Sequence, residues 1–231
     1  MQDSFDFSAP EIARWRKRLK PHLGRLVDVP RRSPLGQLVK SLISSRTRDA
    51  VSLAAFNRIL VRWPDPHGLA AASPAAVERE IALVTFPEVK AGHLVETLQM
   101  IGSERPDFDL SFLGAMRVDD ALAWLERHPG VGRKVAAATL NASTLKRPVF
   151  IVDSHVHRVL RQIGFIGEKG SAKAASELIT ASASTLSADD LLELFAQMKL
   201  LGQTVCRFDL PHCSVCPLAD CCRTAGAGRS N

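Results

Sequence analysis

The chain has 231 residues, 46% of them hydrophobic, with 30 Lys and Arg against 24 Asp and Glu and a formal net charge of +6. That is ample for a core in one or two domains, and no apolar run approaches the roughly 18 residues a bilayer-spanning helix needs. The modest basic excess is compatible with a nucleic-acid partner and decides nothing by itself.

The opening residues, Met1-Gln2-Asp3-Ser4-Phe5-Asp6, are too acidic and broken for a signal peptide, so a soluble intracellular protein is expected. Residues 1–34 read as a polar, basic lead-in. A helix begins at Pro10-Glu11-Ile12-Ala13-Arg14-Trp15 with Arg and Lys on its open face, and Pro21, Pro30 and Pro34 punctuate the rest of the lead-in. Arg31-Arg32 reads as a solvated loop. From Leu35 the pattern is helical: Leu35, Leu38, Val39, Leu42 and Ile43 form one stripe, interrupted by the polar run Ser44-Ser45-Arg46-Thr47-Arg48-Asp49. A second helix runs through Leu53, Phe56 and Leu60 to Trp63-Pro64. Ser73-Pro74 supplies an N-cap and first helical residue; Ala91, Leu94, Val95, Leu98 and Ile101 mark another helix, and Val118-Asp119-Asp120 starts the next.

Pro148-Val149-Phe150-Ile151-Val152 is strand or extended loop. Beyond it, Val156, Val159, Leu160 and Ile163 form a helical stripe that Gly164 ends. Two further helices are expected near 172–183 and from Ser187, as N-cap, to Leu201, with Gly202 as C-cap. The fold class is all-α.

The stretch His128-Pro129-Gly130-Val131-Gly132-Arg133-Lys134 reads as a Gly-rich turn between two helices. Gly130 and Gly132 allow unusual backbone angles and a close approach, and the amides of the second helix's positive end face outward, as a phosphate site requires. Lys134 falls in that helix's first turn, where the dipole disfavours its ammonium form. A Gly-x-Gly turn alone is more often plain turn chemistry. Likewise Asp153, in Val152-Asp153-Ser154-His155, can be an ordinary N-cap.

Together, Pro129-Gly130-Val131-Gly132-Arg133-Lys134 and Val152-Asp153-Ser154-His155 resemble the helix-hairpin-helix DNA glycosylase superfamily, specifically its endonuclease III branch, over roughly residues 35 to 222. The resemblance implies a bifunctional DNA glycosylase and AP lyase of base excision repair, removing oxidised pyrimidines and cleaving 3′ to the abasic site by β-elimination. Lys134 would be the nucleophile, Asp153 the essential carboxylate, and Gly130, Val131 and Gly132 the hairpin that grips DNA. His155 and His157 are taken as structural or DNA-facing. The resemblance further implies two helical lobes with DNA in the groove between them: a barrel domain over 35–146, and a second domain formed by 1–34 plus 147–231. The expected partner is double-stranded DNA with damaged or abasic sites, bound by a monomer in the cytoplasm on nucleoid DNA, with no membrane attachment.

Five cysteines fall within the last 26 residues, which argues for a local metal site over a disulfide framework. Cys206-x6-Cys213-x2-Cys216-x5-Cys222 could enclose tetrahedral zinc or an iron–sulfur cluster. The spacing resembles the [4Fe–4S] loop of endonuclease III, which implies Cys206, Cys213, Cys216 and Cys222 as ligands and leaves Cys221 over. In relatives, a glutamine after the first barrel helix and a leucine before a Lys-Ala helix start fill the gap left by an extruded base. The corresponding positions here hold Arg46 and Phe86, a departure that puts the lesion range in doubt; Phe86 could instead be a core residue. The alternatives are a mismatch or adenine glycosylase of the same superfamily, against which Lys134 speaks, and a weakly active or non-enzymatic DNA-binding relative.

Overall fold

The computed structural model describes residues 9–22 and 31–227. Pro30, the acidic opening residues and the last residues of the polar tail lie outside them. Twelve α-helices occur among the described residues, with three short 3₁₀ turns and no strand beyond one isolated bridge between Arg32 and Ser143. The all-α expectation holds. No described helix is long and apolar enough to cross a membrane.

The described residues form two compact units. One is Arg31–Arg147, with α2 (Pro34–Ser44), α3 (Asp49–Arg62), α4 (Pro66–Ala70), α5 (Pro74–Glu80), α6 (Pro87–Glu104), α7 (Val118–Glu126) and α8 (Arg133–Asn141). Its core includes Leu38, Ile43, Ile59, Ile81, Leu94, Leu98, Ile101, Leu125 and Leu140. Caps define the starts: Ser33 and Ser73 accept the amides of Gly36 and Ala76, and each is followed by proline at the first helical position. Arg31 and Arg32 do not form a solvated loop. The Arg31 guanidinium donates to the carbonyls of Asn141 and Ser143, Arg32 O accepts the Thr144 amide at 2.9 Å, and the Arg32 side chain lies over the Phe56 ring. The entry segment of the unit is thereby tied to the end of α8.

The stripe expected on α3 is rotated. Ser52, Ala55, Phe56 and Ile59 face inward, whereas Leu53 and Leu60 are exposed. Ser52 tolerates full burial because its hydroxyl donates to Asp49 O and accepts from Lys40 Nζ. Leu35 is only half-buried.

The second unit combines α1 (Ala9–His22) with α9 (Ser154–Gln162), α10 (Ala172–Ser182), α11 (Ala188–Thr204) and α12 (Arg223–Ala227). Ile12, Trp15 and Leu19 on one face of α1 enter a core with Val156, Leu160, Leu194 and Met198. Trp15 meets Phe165 edge-on at 5.5 Å. The basic face of α1 is not wholly open, since Arg16 and Arg18 pair with Asp190 and Asp220. Val149 to Val152 are buried but form no strand. α10 supplies the backbone partners of Phe150 instead: its N–H donates to Thr180 Oγ1, and Ser176 Oγ donates to its carbonyl oxygen. Ser187 caps α11 in a capping box with Asp190. That helix continues through Gly202 to Thr204, and Val205 is its C-cap. Gly202 has a different use: a Cβ there would lie 3.0 Å from the backbone oxygen of His155, so glycine lets α9 and α11 pack closely.

Candidate active site

The hairpin between α7 and α8 takes its shape from Gly130, whose φ of +72° lies in the left-handed region. A Cβ at this position would also stand 2.8 Å from His93 Nδ1, so α6 presses on the turn. Thr97, one turn further along α6, donates from its hydroxyl to Pro129 O at 2.9 Å. Val131 is buried beneath the turn. Gly132 is the N-cap of α8, extended and exposed, with nothing within 4 Å of where a Cβ would stand. The first α8 amides therefore open on a surface without side-chain cover at Gly132. Arg133 closes the hairpin from the other side by an ion pair with Glu126.

Lys134 follows in the first turn of α8 and is half-buried. Its Nζ donates to Ser44 Oγ at 3.0 Å, at the C-terminal end of α2, and Ser44 Oγ in turn donates to Ser41 O. The amine is thus held in place by a hydroxyl whose own proton is already committed.

A second lysine lies nearby, the Lys90 of the Lys90-Ala91 pair that follows Phe86, to which the sequence pattern gives no role of its own. Lys90, in the first turn of α6, is 7% exposed, and its ammonium donates to Ile43 O, Ser45 O and Thr47 Oγ1 at 3.0, 2.7 and 3.0 Å. Burial lowers its pKa to about 8, and the charge of Lys134 adds to the effect. Two amines of one unit therefore meet the end of one helix. The loops on either side of this cluster carry Arg46 and Phe86. Both residues are exposed and both adopt left-handed backbone, with φ of 53° and 56°. Phe86 is 53% exposed and caps α6, so it is not a core residue.

In the other unit, Asp153 is the N-cap of α9. Its Oδ1 accepts the Val156 amide at 2.9 Å, and the second carboxylate oxygen has no hydrogen bond among the described residues. One carboxylate oxygen thus serves as the helix cap. His157 Nε2 lies 2.7 Å from Gly170 O, and the His155 ring lies beside Arg158, so both histidines have local structural partners.

Cys206, Cys213, Cys216 and Cys222 line one cavity with Val159, Leu201 and other apolar neighbours; Cys221 does not line it, and its thiol donates to Leu218 O. Among the described residues no three His, Cys, Asp or Glu side chains converge closely enough to hold a single metal ion. Burial pushes the Cys206 thiol up to about 11 and raises Cys216 and Cys221 as well. Arg158 of α9 anchors this region by donating to Cys206 O at 3.0 Å and to Gly202 O, while Cys222 Sγ donates to Gln162 O. Arg207 pairs with Asp209 at 2.9 Å on the surface of the loop.

Residues 39–183 match the HhH-GPD superfamily base excision DNA repair protein family. Endonuclease III of Thermotoga maritima is 28% identical over 189 residues, covering 82% of each chain. The chain belongs to the endonuclease III family of the HhH-GPD superfamily. Other relatives of this endonuclease III family member include an adenine DNA glycosylase of Mycolicibacterium smegmatis, 32% identical over 71% of the present chain and 53% of that one. In fold, a trapped endonuclease III–DNA covalent intermediate aligns with a TM-score of 0.77 at 20% identity, covering 96% of this chain and 99% of that one. A thermostable thymine-DNA glycosylase aligns with a TM-score of 0.72 at 13% identity, over 94% and 96%.

Proposed function

We propose that the protein is a bifunctional DNA glycosylase and AP lyase that removes oxidised pyrimidines from duplex DNA. The observation that carries the reading is Lys134, placed directly after the Gly-x-Gly hairpin and held through its amine by Ser44 Oγ at 3.0 Å. A glycosylase must first extrude the target nucleotide, because the stacked base shields the bond to be cut. In its neutral form the Lys134 amine attacks C1′ of the sugar and the base leaves with the bonding electron pair, taking up one proton from the nitrogen; the nitrogen lone pair then forms C1′=N as the C1′–O4′ bond breaks, O4′ takes up a proton, and the ring-opened Schiff base results. The imine acidifies the C2′ proton; its removal expels the 3′ phosphate and nicks the strand. Asp153, with one oxygen held by the α9 amide, supports the positive charge that develops on the sugar. The hairpin amides around Gly130, Val131 and Gly132 take a backbone phosphate, and Arg46 and Phe86 fill the space the base vacates.

The donor set of the cysteine cavity suits an inorganic group larger than one ion. Four thiols line a common space without converging on a point, as single zinc would require at about 2.3 Å from each sulfur. Cys206, Cys213, Cys216 and Cys222 would hold a [4Fe–4S] cluster, which would cross-link the segment between α11 and α12. No step of the reaction passes through it.

The relationship to an adenine DNA glycosylase favours a second reading, removal of a mispaired adenine without strand cleavage. One assay separates the two. Borohydride is expected to trap the protein on duplexes bearing an abasic site, thymine glycol or 5-hydroxycytosine, and Lys134→Gln to abolish trapping while DNA binding persists. Release of adenine from an A·G mismatch, with no trapping, would replace the proposal with the second reading.

A further inference from the structure

Burying an ammonium is costly unless each of its protons finds an acceptor, and a lysine used only to fill space is better replaced by an apolar side chain. Lys90 meets the first condition in a specific way. All three of its acceptors, Ile43 O, Ser45 O and Thr47 Oγ1, belong to the end of α2 and the loop that follows it. Lys90 itself belongs to the helix that Phe86 caps, and its backbone amide donates to Phe86 O at 3.2 Å. A second pair of bonds runs in parallel: Thr85 N–H donates to Thr47 Oγ1 at 3.0 Å, and Thr85 Oγ1 donates to Arg46 O at 2.8 Å. Thr47 Oγ1 thus accepts from both Lys90 and Thr85, and it is the shared node of the clamp. Arg46 and Phe86 sit immediately beside these bonds, in backbone conformations that side-chain-bearing residues adopt only when their surroundings compel them.

We propose that Lys90 is a positioning residue: through Thr47 and the α2 carbonyls it locks the loops of Arg46 and Phe86 together, so that both side chains enter the base stack as one rigid wedge. The proposal rests on the reading that Arg46 and Phe86 fill the vacated space. Lys90 touches neither base nor sugar. Its contribution appears only when a base must be levered out of a paired duplex, and it is absent when the gap already exists. Because excision and abasic-site cleavage both use Lys134, their ratio divides out any effect that the charge of Lys90 has on the Lys134 amine.

The test compares, for each variant, excision of thymine glycol paired with adenine against cleavage of a preformed abasic site. Fluorescence of 2-aminopurine opposite the lesion reports duplex opening directly. For Lys90→Met the ratio is expected to fall about 10- to 100-fold, the loss that a small misplacement of working groups can cause. Thr47→Val keeps the Lys90 charge and the local shape; it is expected to lower the ratio in the same direction and to reduce the fluorescence rise. Thr47→Val decides the matter if Lys90→Met does not fold. Adding Lys90→Met to the double variant Arg46→Ala/Phe86→Ala is expected to lower the ratio no further. An unchanged ratio in Lys90→Met and Thr47→Val, with Phe86→Ala and Arg46→Ala lowering it, overturns the role of Lys90 alone. An unchanged ratio in all four variants overturns the wedge reading beneath it.

Discussion

Two glycines two residues apart invite the same substitution and should respond differently. At Gly130 an alanine must hold φ near +72°, which costs about 1–2 kcal/mol for a residue with a Cβ. Its methyl would also stand 2.8 Å from His93 Nδ1 and 3.0 Å from His93 Cβ, and overpacking of that kind typically costs about 1–3 kcal/mol. Gly130→Ala should therefore lower stability by about 2–5 kcal/mol. At Gly132 the backbone is extended and nothing lies within 4 Å, so the gain of about 0.4–1 kcal/mol through the unfolded chain is offset by alanine's poorer N-capping of α8, and the net change should stay within about 1 kcal/mol of zero. Urea denaturation of the two variants measures the contrast. His93→Ala should recover part of the Gly130→Ala loss and leave the backbone share, because the His93 Cβ remains in place. The same pair separates fold from function: Gly132→Ala should bind duplex DNA more weakly at unchanged stability, since its methyl stands where a phosphate approaches the α8 amides. Equal stability losses at the two positions would refute the reasoning.

Asp153→Asn retains a capping oxygen for the Val156 amide, so activity should fall steeply while the thermal midpoint moves little; a melted protein with full activity per folded molecule would reduce Asp153 to a cap. Anaerobically purified protein should carry about four irons per chain, and Cys222→Ser should lose them while Cys221→Ser keeps them, as read by iron and sulfide analysis. His128 is 3% exposed, with Nε2 buried and without a hydrogen-bond partner among the described residues, and burial holds its pKa below the usual imidazole range. The unfolded chain therefore binds the proton more readily. Stability should be unaffected by this group above about pH 6.5 and fall as pH drops from there toward the lower folded value. Scanning calorimetry should show a shallower acid fall in His128→Leu.

Much of the site can be read from local spacing because its chemistry is local. The hairpin glycines, Lys134 and Asp153 lie at helix starts, where a cap or first-turn position is fixed by residues three or four apart. Lys90 cannot be read that way. Its partners are mostly backbone carbonyls more than 40 positions away, and a carbonyl leaves no mark on residue type. The buried face of α3 is hidden for a related reason. Both Leu53, Phe56, Leu60 and Ser52, Ala55, Phe56, Ile59 suit helical spacing, and the buried set contains a serine whose satisfaction depends on Lys40 from another helix. The Val149 to Val152 run shows the limit of apolar runs: its composition suits a strand, but Phe150 at its centre exchanges hydrogen bonds with hydroxyls on α10.

The second unit is closed by the two ends of its sequence, and this sets an order of events during synthesis. Arg16 finds Asp190 only 174 positions later, and Arg18 finds Asp220 after 202. At about 5–20 residues per second, α1 leaves the ribosome on the order of 10–40 s before its partners exist. In that interval Arg31–Arg147, continuous in sequence, can assemble, while Ile12, Trp15 and Leu19 present an apolar stripe with nothing to cover it. α1 is thus made before the other described helices yet is among the last of them to be buried, and a chaperone that binds short apolar segments would find a long-lived target there.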